Sequence, residues 1–400
     1  MISPGLAVLR GFRFDISELS GSLADLGVML PLVVALITLN GVNATGAFFV
    51  IGLAYFINAF TYRLPIPVQP LKALAAVALA LNLSPQMIAA AAWWVSAIFL
   101  ILAFTGAERW LSGFFPAPVV RGIQVGLGLL LLRSAWGLIT APEESWAVAW
   151  SLGEFSLPLP WVAAIGATML LLFGLWLRQS WAGLLVILYG CLLGLAAFGF
   201  PQTRLVFTLP SPVVPRVEDF WPALWLLVVP QIPLSLGNSV YATADAARQY
   251  FGNAALAVSP RRLLLTMGLS NAAAAALGGV PVCHGSGGLT AHVRLGARTG
   301  GALIIIGTIF LVLGLLGSSN ILSLLGLIPF SALGVLLAYV GFQHLRLAAD
   351  LRGARDWSAA LMVALVASAT QNLAWGYLCG LLLYYVLAWG KKSRLQRERP

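Results

Sequence analysis

The chain has 400 residues, of which 60% are hydrophobic and 9% are charged, and its mean hydropathy is +0.93. Soluble globular domains do not reach such values, so the composition excludes a soluble enzyme and a soluble domain with a single anchor. The formal net charge of +10 is compatible with nucleic-acid binding, but the positions of the basic residues favour a topological explanation.

The first 14 residues predict a cytoplasmic amphipathic N-terminus. Arg10 and Arg13 interrupt this segment before an apolar core long enough for a secretory signal, and no small-residue cleavage site follows. We therefore expect residues 1–14 to lie at the membrane interface and the first membrane element to follow them.

Beyond residue 14, apolar runs fill nearly the whole chain and predict an all-α polytopic membrane protein. The proline-rich stretch 201–218 is the one credible linker, and seven elements lie on each side of it. Because seven is odd, the two halves must have opposite orientations in the membrane. The predicted elements are 23–40, 45–62, 71–83, 86–106, 117–138, 159–177, 181–199, 221–240, 260–277, 285–296, 300–317, 320–341, 357–371 and 373–389.

The basic residues follow the positive-inside pattern. With the N-terminus inside, the outer loops contain Arg204 and Arg216 together with several acidic residues. This distribution predicts an inner (plasma) membrane protein with both termini in the cytoplasm and no nucleic-acid partner. The arginines of the intracellular connections are Arg63, Arg109, Arg178, Arg248, Arg261, Arg262, Arg298, Arg346, Arg352 and Arg355, and 391–400 is a basic tail.

Two matching stretches, PIPVQPLKALAAVA (65–78) and GVPVCHGSGGLTAHV (279–293), interrupt the apolar pattern. Each places an extended, proline-containing run directly before a helix-compatible segment. Ser84-Pro85 limits the first of these helices to about 13 residues, or ~20 Å, which cannot cross a hydrocarbon core of about 30 Å. Matching interrupted segments in the two halves indicate a transporter whose substrate binds between half-helix N-termini. We expect Pro70 and Gly285 to lie within about 10–15 Å of each other near the bilayer midplane.

A second internal similarity joins Pro116 to Pro329. Each of these prolines precedes a long apolar segment that contains spaced glycines, including Gly128 and Gly341. Glycine allows two helices to approach closely. The similarity therefore supports an inverted repeat in which these two segments are equivalent.

Four runs carry a resemblance to a known family: SGSLADLGVMLPL (20–32), IPVQPLKA (66–73), PQIPLSLGNSV (230–240) and PVCHGSGGLTAHVRLGARTGG (281–301). They resemble the molybdate-transporter branch of the sulfate permease (SulP) superfamily, over roughly residues 14–390. The resemblance implies a seven-plus-seven inverted repeat with a core domain (15–107 and 219–317) and a gate domain (114–200 and 319–390). It also implies a chain without the C-terminal STAS domain of typical members.

Lys72 is the first candidate for the substrate site. It falls in the first turn after Pro70, where free N–H groups and the positive end of the helix dipole favour an anion. A charge inside the membrane indicates function by default. The alternatives are an ion pair with Asp25 or snorkelling to the interface, and the first of these agrees with a role for Asp25 in orienting Lys72 or in carrying a coupling proton.

The second candidate group follows the other extended run. Glycines 285 and 287 allow a ligand to approach the backbone, and His284 and Ser286 can donate hydrogen bonds. Helix crossing at the glycines and a packed histidine are the alternatives. Cys283 and His284 are adjacent and without further ligands nearby, so we expect no metal site and no cofactor.

The expected pocket is completed by neutral hydrogen-bonding side chains. Gln69 belongs to the first extended run, and Gln231 and Asn238 belong to PQIPLSLGNSV. Interhelical hydrogen bonding is an alternative role for such residues. Arg121 is expected to snorkel to the inner surface.

These observations predict a secondary-active transporter of a tetrahedral oxyanion, with molybdate indicated by the resemblance. Sulfate or general oxyanion transport is the alternative, and a nucleobase permease of the same fold is disfavoured because the two site regions lack carboxylates for ring recognition. An enzyme is not expected, since no paired acids, no nucleophile–base spacing and no ATP-binding loop are present. A passive anion channel, proton coupling and a homodimer are left open by the sequence.

Overall fold

The computed structural model describes residues 11–397 except 24–25, 113, 141–145, 147–148, 153–154, 178–181 and 202–206. The first half of the chain contains nine helices in this part. They are α1 (Ile16–Ser22), α2 (Leu26–Asn40), α3 (Ala44–Tyr62), α4 (Lys72–Ala80), α5 (Pro85–Thr105), α6 (Glu108–Ser112), α7 (Ala117–Thr140), α8 (Leu159–Trp176) and α9 (Ala182–Phe198). Three short strands accompany them: β1 (Gln69–Pro70), β2 (Ala149–Leu152) and β3 (Phe155–Pro158).

The second half repeats this organisation around one further strand, β4 (Val282–Cys283). Its helices are α10 (Val217–Ala223), α11 (Val229–Leu234), α12 (Thr243–Phe251), α13 (Pro260–Ala276), α14 (Ser286–Arg294), α15 (Gly301–Leu315), α16 (Ser318–Leu325), α17 (Phe330–Arg346), α18 (Ala354–Thr370) and α19 (Leu373–Arg397). Within the described residues, six helical stretches are long and apolar enough to span a bilayer, and further apolar helices of 10–17 residues accompany them.

The prediction that residues 320–341 form a single helix is wrong. Residues 320–341 are divided between α16 and α17, with a break at Leu327–Pro329. Pro329 is the N-cap of α17 and is extended (φ −63°, ψ 139°). Proline disfavours the α conformation in the residue before it, so the helix restarts after Pro329 rather than running through it. The predicted similarity to Pro116, directly before α7, is confirmed by this start.

The predicted element 221–240 is longer than expected and is not a regular α-helix. α10, α11 and α12 follow one another through two π-helical segments, Leu224–Val228 and Ser235–Ala242. Pro222, Pro230 and Pro233 lie within this stretch and lack a backbone N–H, so regular i→i−4 bonding cannot continue past them. The second π segment contains Asn238 and faces the site described in the next subsection.

Helices from the two halves pack in pairs. α3 packs on α15, α5 packs on α13, and α7 packs on α17. In the last pair, a Cβ atom on Gly128 would lie 2.8 Å from the carbonyl oxygen of Gly341, and one on Gly341 would lie 2.9 Å from that of Gly128. The prediction that these glycines permit a close crossing is confirmed.

The N-terminal helix α1 is attached to the second half by one buried carboxylate. Glu18 Oε1 accepts the backbone N–H groups of Arg298 (3.0 Å) and Thr299 (2.9 Å), and Oε2 accepts that of Ala302 (3.2 Å). These donors lie at and before the start of α15, where helical N–H groups have no partner within the helix. Glu18 thus joins the start of the chain to the loop between α14 and α15.

Candidate functional site

The two interrupted segments meet as a short antiparallel ribbon. Gln69 pairs with Cys283 and Pro70 pairs with Val282, and the Leu71 N–H donates to the carbonyl oxygen of Pro281 at 2.9 Å. The predicted pair of half-helices preceded by extended segments is therefore confirmed. Because the ribbon is antiparallel, α4 and α14 leave it at opposite ends, and their N-termini lie on either side of it.

Both half-helices are short. α4 and α14 have nine residues each, or about 14 Å at 1.5 Å per residue, which is half of a hydrocarbon core. Leu71 and Gly285 are the N-cap residues, and neither can cap its helix with a side-chain hydrogen bond. The first-turn N–H groups and the positive dipole ends are therefore directed toward the ribbon, where they favour an anion.

Two buried asparagines hold the ribbon from behind. Asn58 on α3 donates from Nδ2 to the carbonyl oxygen of Ile66 at 3.1 Å. Asn271 on α13 donates to the carbonyl oxygen of Val282 at 2.7 Å and accepts its N–H at 3.0 Å. Both are fully buried, and each satisfies extended backbone that lacks a helical partner. Neither asparagine was predicted from the sequence, although Asn58 precedes the first residue of β1 by the same number of residues as Asn271 precedes the first residue of β4.

His284 lies behind the ribbon and not in the wall of the cavity where the sequence places it. Its Nδ1 is 3.0 Å from the carbonyl oxygen of Pro67, and its Nε2 is 2.8 Å from Oγ1 of Thr266. Asn58 Nδ2 is also 3.1 Å from Nδ1, and the Tyr62 ring contacts the imidazole edge to face. The ring is 2% exposed, so its polar atoms serve the extended segment and its neighbours.

A cavity of about 880 Å³ lies between the half-helix starts and helices α7 and α17. Gly287 faces it, since a Cβ atom there would have no atom within 4 Å. Among the residues that line the cavity, the half-helix segments and the π segment contribute Gln69, Lys72, Cys283, Ser286, Gly287 and Asn238, whereas α7 and α17 contribute Arg121, Gln124, Tyr339, Gln343 and His344.

The neutral candidates Ser286, Asn238 and Gln231 make hydrogen bonds at the cavity wall. Ser286 donates from Oγ to Oδ1 of Asn238 at 2.8 Å. Gln231 accepts the N–H of Leu74, in the first turn of α4, at 3.1 Å and donates to Oγ of Ser235 at 2.9 Å. Gln231 thus lines the cavity while it caps the half-helix.

Gly285 is in contact with Gln69, because a Cβ atom on it would lie 2.5 Å from Oε1 of that side chain. Any larger residue at position 285 would therefore displace the amide end of the Gln69 side chain. Asp25, the remaining candidate, lies outside the described residues.

The charges of the cavity wall are positive. Lys72 is half-buried and has no salt bridge to a described residue. Arg121 donates from Nε to Oδ1 of Asp350 at 2.9 Å and from Nη1 to Oε1 of Gln124 at 3.0 Å. No aspartate or glutamate is found among the lining residues in the described part of the chain. The sequence did not predict that α7 and α17 form part of the cavity wall. The signal available for it was Arg121, a charged residue within an apolar run.

Comparison with known proteins gives a consistent family. A family model described as a molybdate transporter of the MFS superfamily matches residues 17–131 and 223–343. Molybdate transporter 2 of Arabidopsis thaliana is 29% identical over 411 residues, which cover 93% of this chain and 87% of that protein. Molybdate transporter 1 of Chlamydomonas reinhardtii is 28% identical over 471 residues, which cover 92% of this chain and 90% of that protein.

Solved structures show the fold. Murine solute carrier 26 family member A9, an anion transporter in the inward-facing state, matches with a TM-score of 0.71 at 15% identity, over 97% of this chain and 71% of that chain. The transmembrane domain of the cyanobacterial bicarbonate transporter BicA matches with a TM-score of 0.64 at 14% identity, over 92% of this chain and 97% of that chain. These similarities confirm the predicted seven-plus-seven inverted repeat.

Proposed function

Because the chain belongs to the molybdate transporter family and has the fold of membrane anion transporters, we propose that it is a secondary-active carrier of molybdate. It is an anion transporter and not an enzyme. In the proposed mechanism the core and the gate move relative to each other and expose one central site to each side of the membrane in turn. The oxyanion is held between the starts of α4 and α14.

The observation that supports this most directly is that two half-helices, neither capped by its own N-cap residue, begin at one cavity. The described wall of this cavity contains Lys72 but no carboxylate. A tetrahedral dianion accepts hydrogen bonds from many directions. The Leu71 N–H is already bonded to Pro281 and the Leu74 N–H to Gln231. The donors in this proposal are therefore the first-turn N–H groups near Lys72 and those near Gly285–Ser286, together with two positive dipole ends. One lysine gives moderate binding, which suits a carrier because it must release its substrate.

The side chains divide into two roles in this proposal. Lys72, Ser286, Gln69 and Asn238 contact the oxyanion, and Gly287 leaves space for it. Gln231 caps α4, and His284 positions the ribbon rather than touching the substrate. Asp25 orients Lys72.

The proposed domains follow the fold. A core (15–107 and 219–317) carries the ribbon and half-helices, and a gate (114–200 and 319–390) supplies α7 and α17. If both termini lie in the cytoplasm of a plasma-membrane protein, the cavity rim at Gln343 and Leu347, which are exposed, faces inward. The structure then corresponds to an inward-facing state.

Uptake of labelled molybdate by liposomes containing the purified protein tests the function, with and without an imposed pH gradient. We expect saturable uptake that tungstate inhibits strongly and sulfate weakly, because these tetrahedral dianions differ mainly in size and the pocket dimensions must separate them. Equal inhibition by sulfate would reassign the protein to general oxyanion transport. Absence of molybdate uptake from verified proteoliposomes would overturn the proposal.

A further inference from the structure

One polar side chain of the cavity has no part in the site as described so far. His344 lies near the end of α17, on the wall opposite the half-helices. It is 7% exposed, and within the described residues its Nδ1 has no hydrogen-bond partner. A buried polar atom without a partner costs free energy. His344 therefore lines the cavity while one of its ring nitrogens, the buried Nδ1, is left unsatisfied by the described residues.

The charges that face His344 are mostly positive. Lys72, from α4, lines the same cavity as His344. Arg121, from α7, lines the same cavity and is paired with Asp350. The other titratable groups of the described wall are Tyr241, Cys283 and Tyr339, and Asp25, which precedes α2 and its contact with α17, lies outside the described residues.

This arrangement makes the protonation of His344 depend on what occupies the cavity. An imidazolium at His344 and the ammonium of Lys72 repel each other across an empty cavity. A bound dianion removes this repulsion, because it places two negative charges between the two cations. Protonation of His344 and occupation of the cavity by a dianion therefore stabilise each other.

The other two histidines do not have this position. His284 has both ring nitrogens within hydrogen-bond distance of the ribbon or of Thr266. His292 is buried in α14 and is not among the described residues that line the cavity. His344 is the histidine whose surroundings change when an anion arrives.

We propose that His344 is the gate-side ligand of the transported oxyanion and that it takes up one proton from solution when the oxyanion binds. The proton adds to the ring nitrogen that carries no hydrogen, so that both nitrogens become N–H donors. The nitrogen that faces the cavity donates to an anion oxygen, and no bond in the anion is broken. The inference rests on the proposed function, and it assigns proton linkage to α17 rather than to Asp25 or His284. Core and gate are then joined through the anion, with Lys72 on one side and His344 on the other.

Isothermal titration of the full-length protein in nanodiscs with molybdate tests this. Titrations are made between pH 6 and pH 8, in pairs of buffers with different ionisation enthalpies. We expect wild-type protein to take up as much as one proton per molybdate and to bind more tightly as the pH falls, by up to about tenfold per pH unit. His344→Gln should lose the uptake and flatten the pH dependence, while the half-helix donors and Lys72 still bind molybdate.

A second variant and a matched control distinguish the loss of proton uptake from a structural effect of the substitution. His344→Arg carries a fixed charge and should bind molybdate without proton uptake at any pH in the range. His292→Gln removes a buried histidine away from the cavity and should keep the wild-type uptake. Molybdate binding by wild-type protein without proton uptake, or full uptake in folded His344→Gln, would overturn this inference and leave the transport function standing. Absence of molybdate binding would instead count against the proposed function.

Discussion

Lys72 differs from the other lysines of the chain in its position. The other two, Lys391 and Lys392, lie at the basic C-terminal end, whereas Lys72 opens a half-helix at the cavity. A cation at a helix N-terminus is unfavourable for the helix dipole. Its presence there is explained if a negative group, the transported anion, compensates both the lysine and the dipole.

Replacement of Lys72 by alanine should therefore weaken molybdate binding more than any other single side-chain truncation in the half-helices. Hydrogen bonds to charged groups contribute about 1.5–3 kcal/mol, which corresponds to roughly a 10- to 150-fold loss of affinity. Isothermal titration of the purified protein with molybdate measures this loss of affinity, with Lys392→Ala as the matched control. Wild-type affinity in a folded Lys72→Ala protein would place the site elsewhere.

A substitution at Gly287 should affect transport through the size of the new side chain rather than through charge. A Cβ atom there would meet no protein atom within 4 Å, so Gly287→Val introduces no clash and the protein should fold. The valine side chain would instead occupy the space in front of the Ser286 N–H and block the anion. We expect transport below one tenth of wild type in the liposome assay.

A folded Gly287→Val protein that transports at the wild-type rate would show that the anion does not approach this face of α14. Gly137→Val on α7 is the matched control, since a Cβ atom at Gly137 also meets no atom within 4 Å but the residue does not line the cavity within the described part of the chain.

At the scale of elements, the crossing of α7 and α17 positions the cavity wall that lies opposite the half-helices. The two backbones approach at Gly128 and Gly341, where a methyl group on either would lie within 3 Å of the opposite carbonyl oxygen. Backbone atoms cannot move aside as a flexible side chain does. The helices must therefore separate if either glycine acquires a side chain.

Gly128→Ala should lower thermal stability and impair transport, because it separates α7 from α17 and displaces Arg121 and His344 in the wall. Overpacking of this kind costs about 1–3 kcal/mol. Gly137→Ala, on the same helix, should be neutral or slightly stabilising, since alanine is favoured over glycine in an open helical position. Thermal unfolding followed by tryptophan fluorescence compares the two variants, and equal melting temperatures would contradict the assigned crossing.

Most of the elements could be predicted because their signals are local. Both half-helices were indicated by the proline-containing runs and, for the first, by the short length available before Ser84-Pro85. The equivalence of α7 and α17 was indicated by the repeated proline–glycine pattern. The π segments of 224–242 could not be predicted, since the same prolines are compatible with a kink or with a break. The split at Pro329 required weighing one proline against a long apolar run.

The site was less predictable than the fold because its contacts join distant parts of the chain. Lys72 and Ser286, proposed from their places at the half-helix starts, and Asn238, proposed as a neutral hydrogen bonder at membrane depth, line the cavity. His284 was misplaced because a histidine that holds the ribbon and one that faces a cavity have the same sequence signal. His344 lies 50 residues after Arg294, the end of the second half-helix, and becomes part of the wall only through helix packing.

At the scale of the molecule, the cavity lies between two groups of helices that move relative to each other in the proposed mechanism. A carrier of this kind exchanges bound anion for anion at the opposite surface, whereas a channel does not. Liposomes preloaded with unlabelled molybdate should therefore accumulate labelled molybdate transiently above its equilibrium level. Passive entry that never exceeds equilibrium under these conditions would indicate a channel.

The ribbon between β1 and β4 has a consequence for biogenesis. The strand that follows α3 is synthesised and inserted long before its partner, Val282–Cys283, leaves the ribosome. Until then the extended backbone of 66–70 depends on the side chains of Tyr55 and Asn58, which bond the carbonyl oxygens of Val68 and Ile66. Neither half of the chain can form the site alone, so two separately expressed halves should transport only when both are produced together in one membrane.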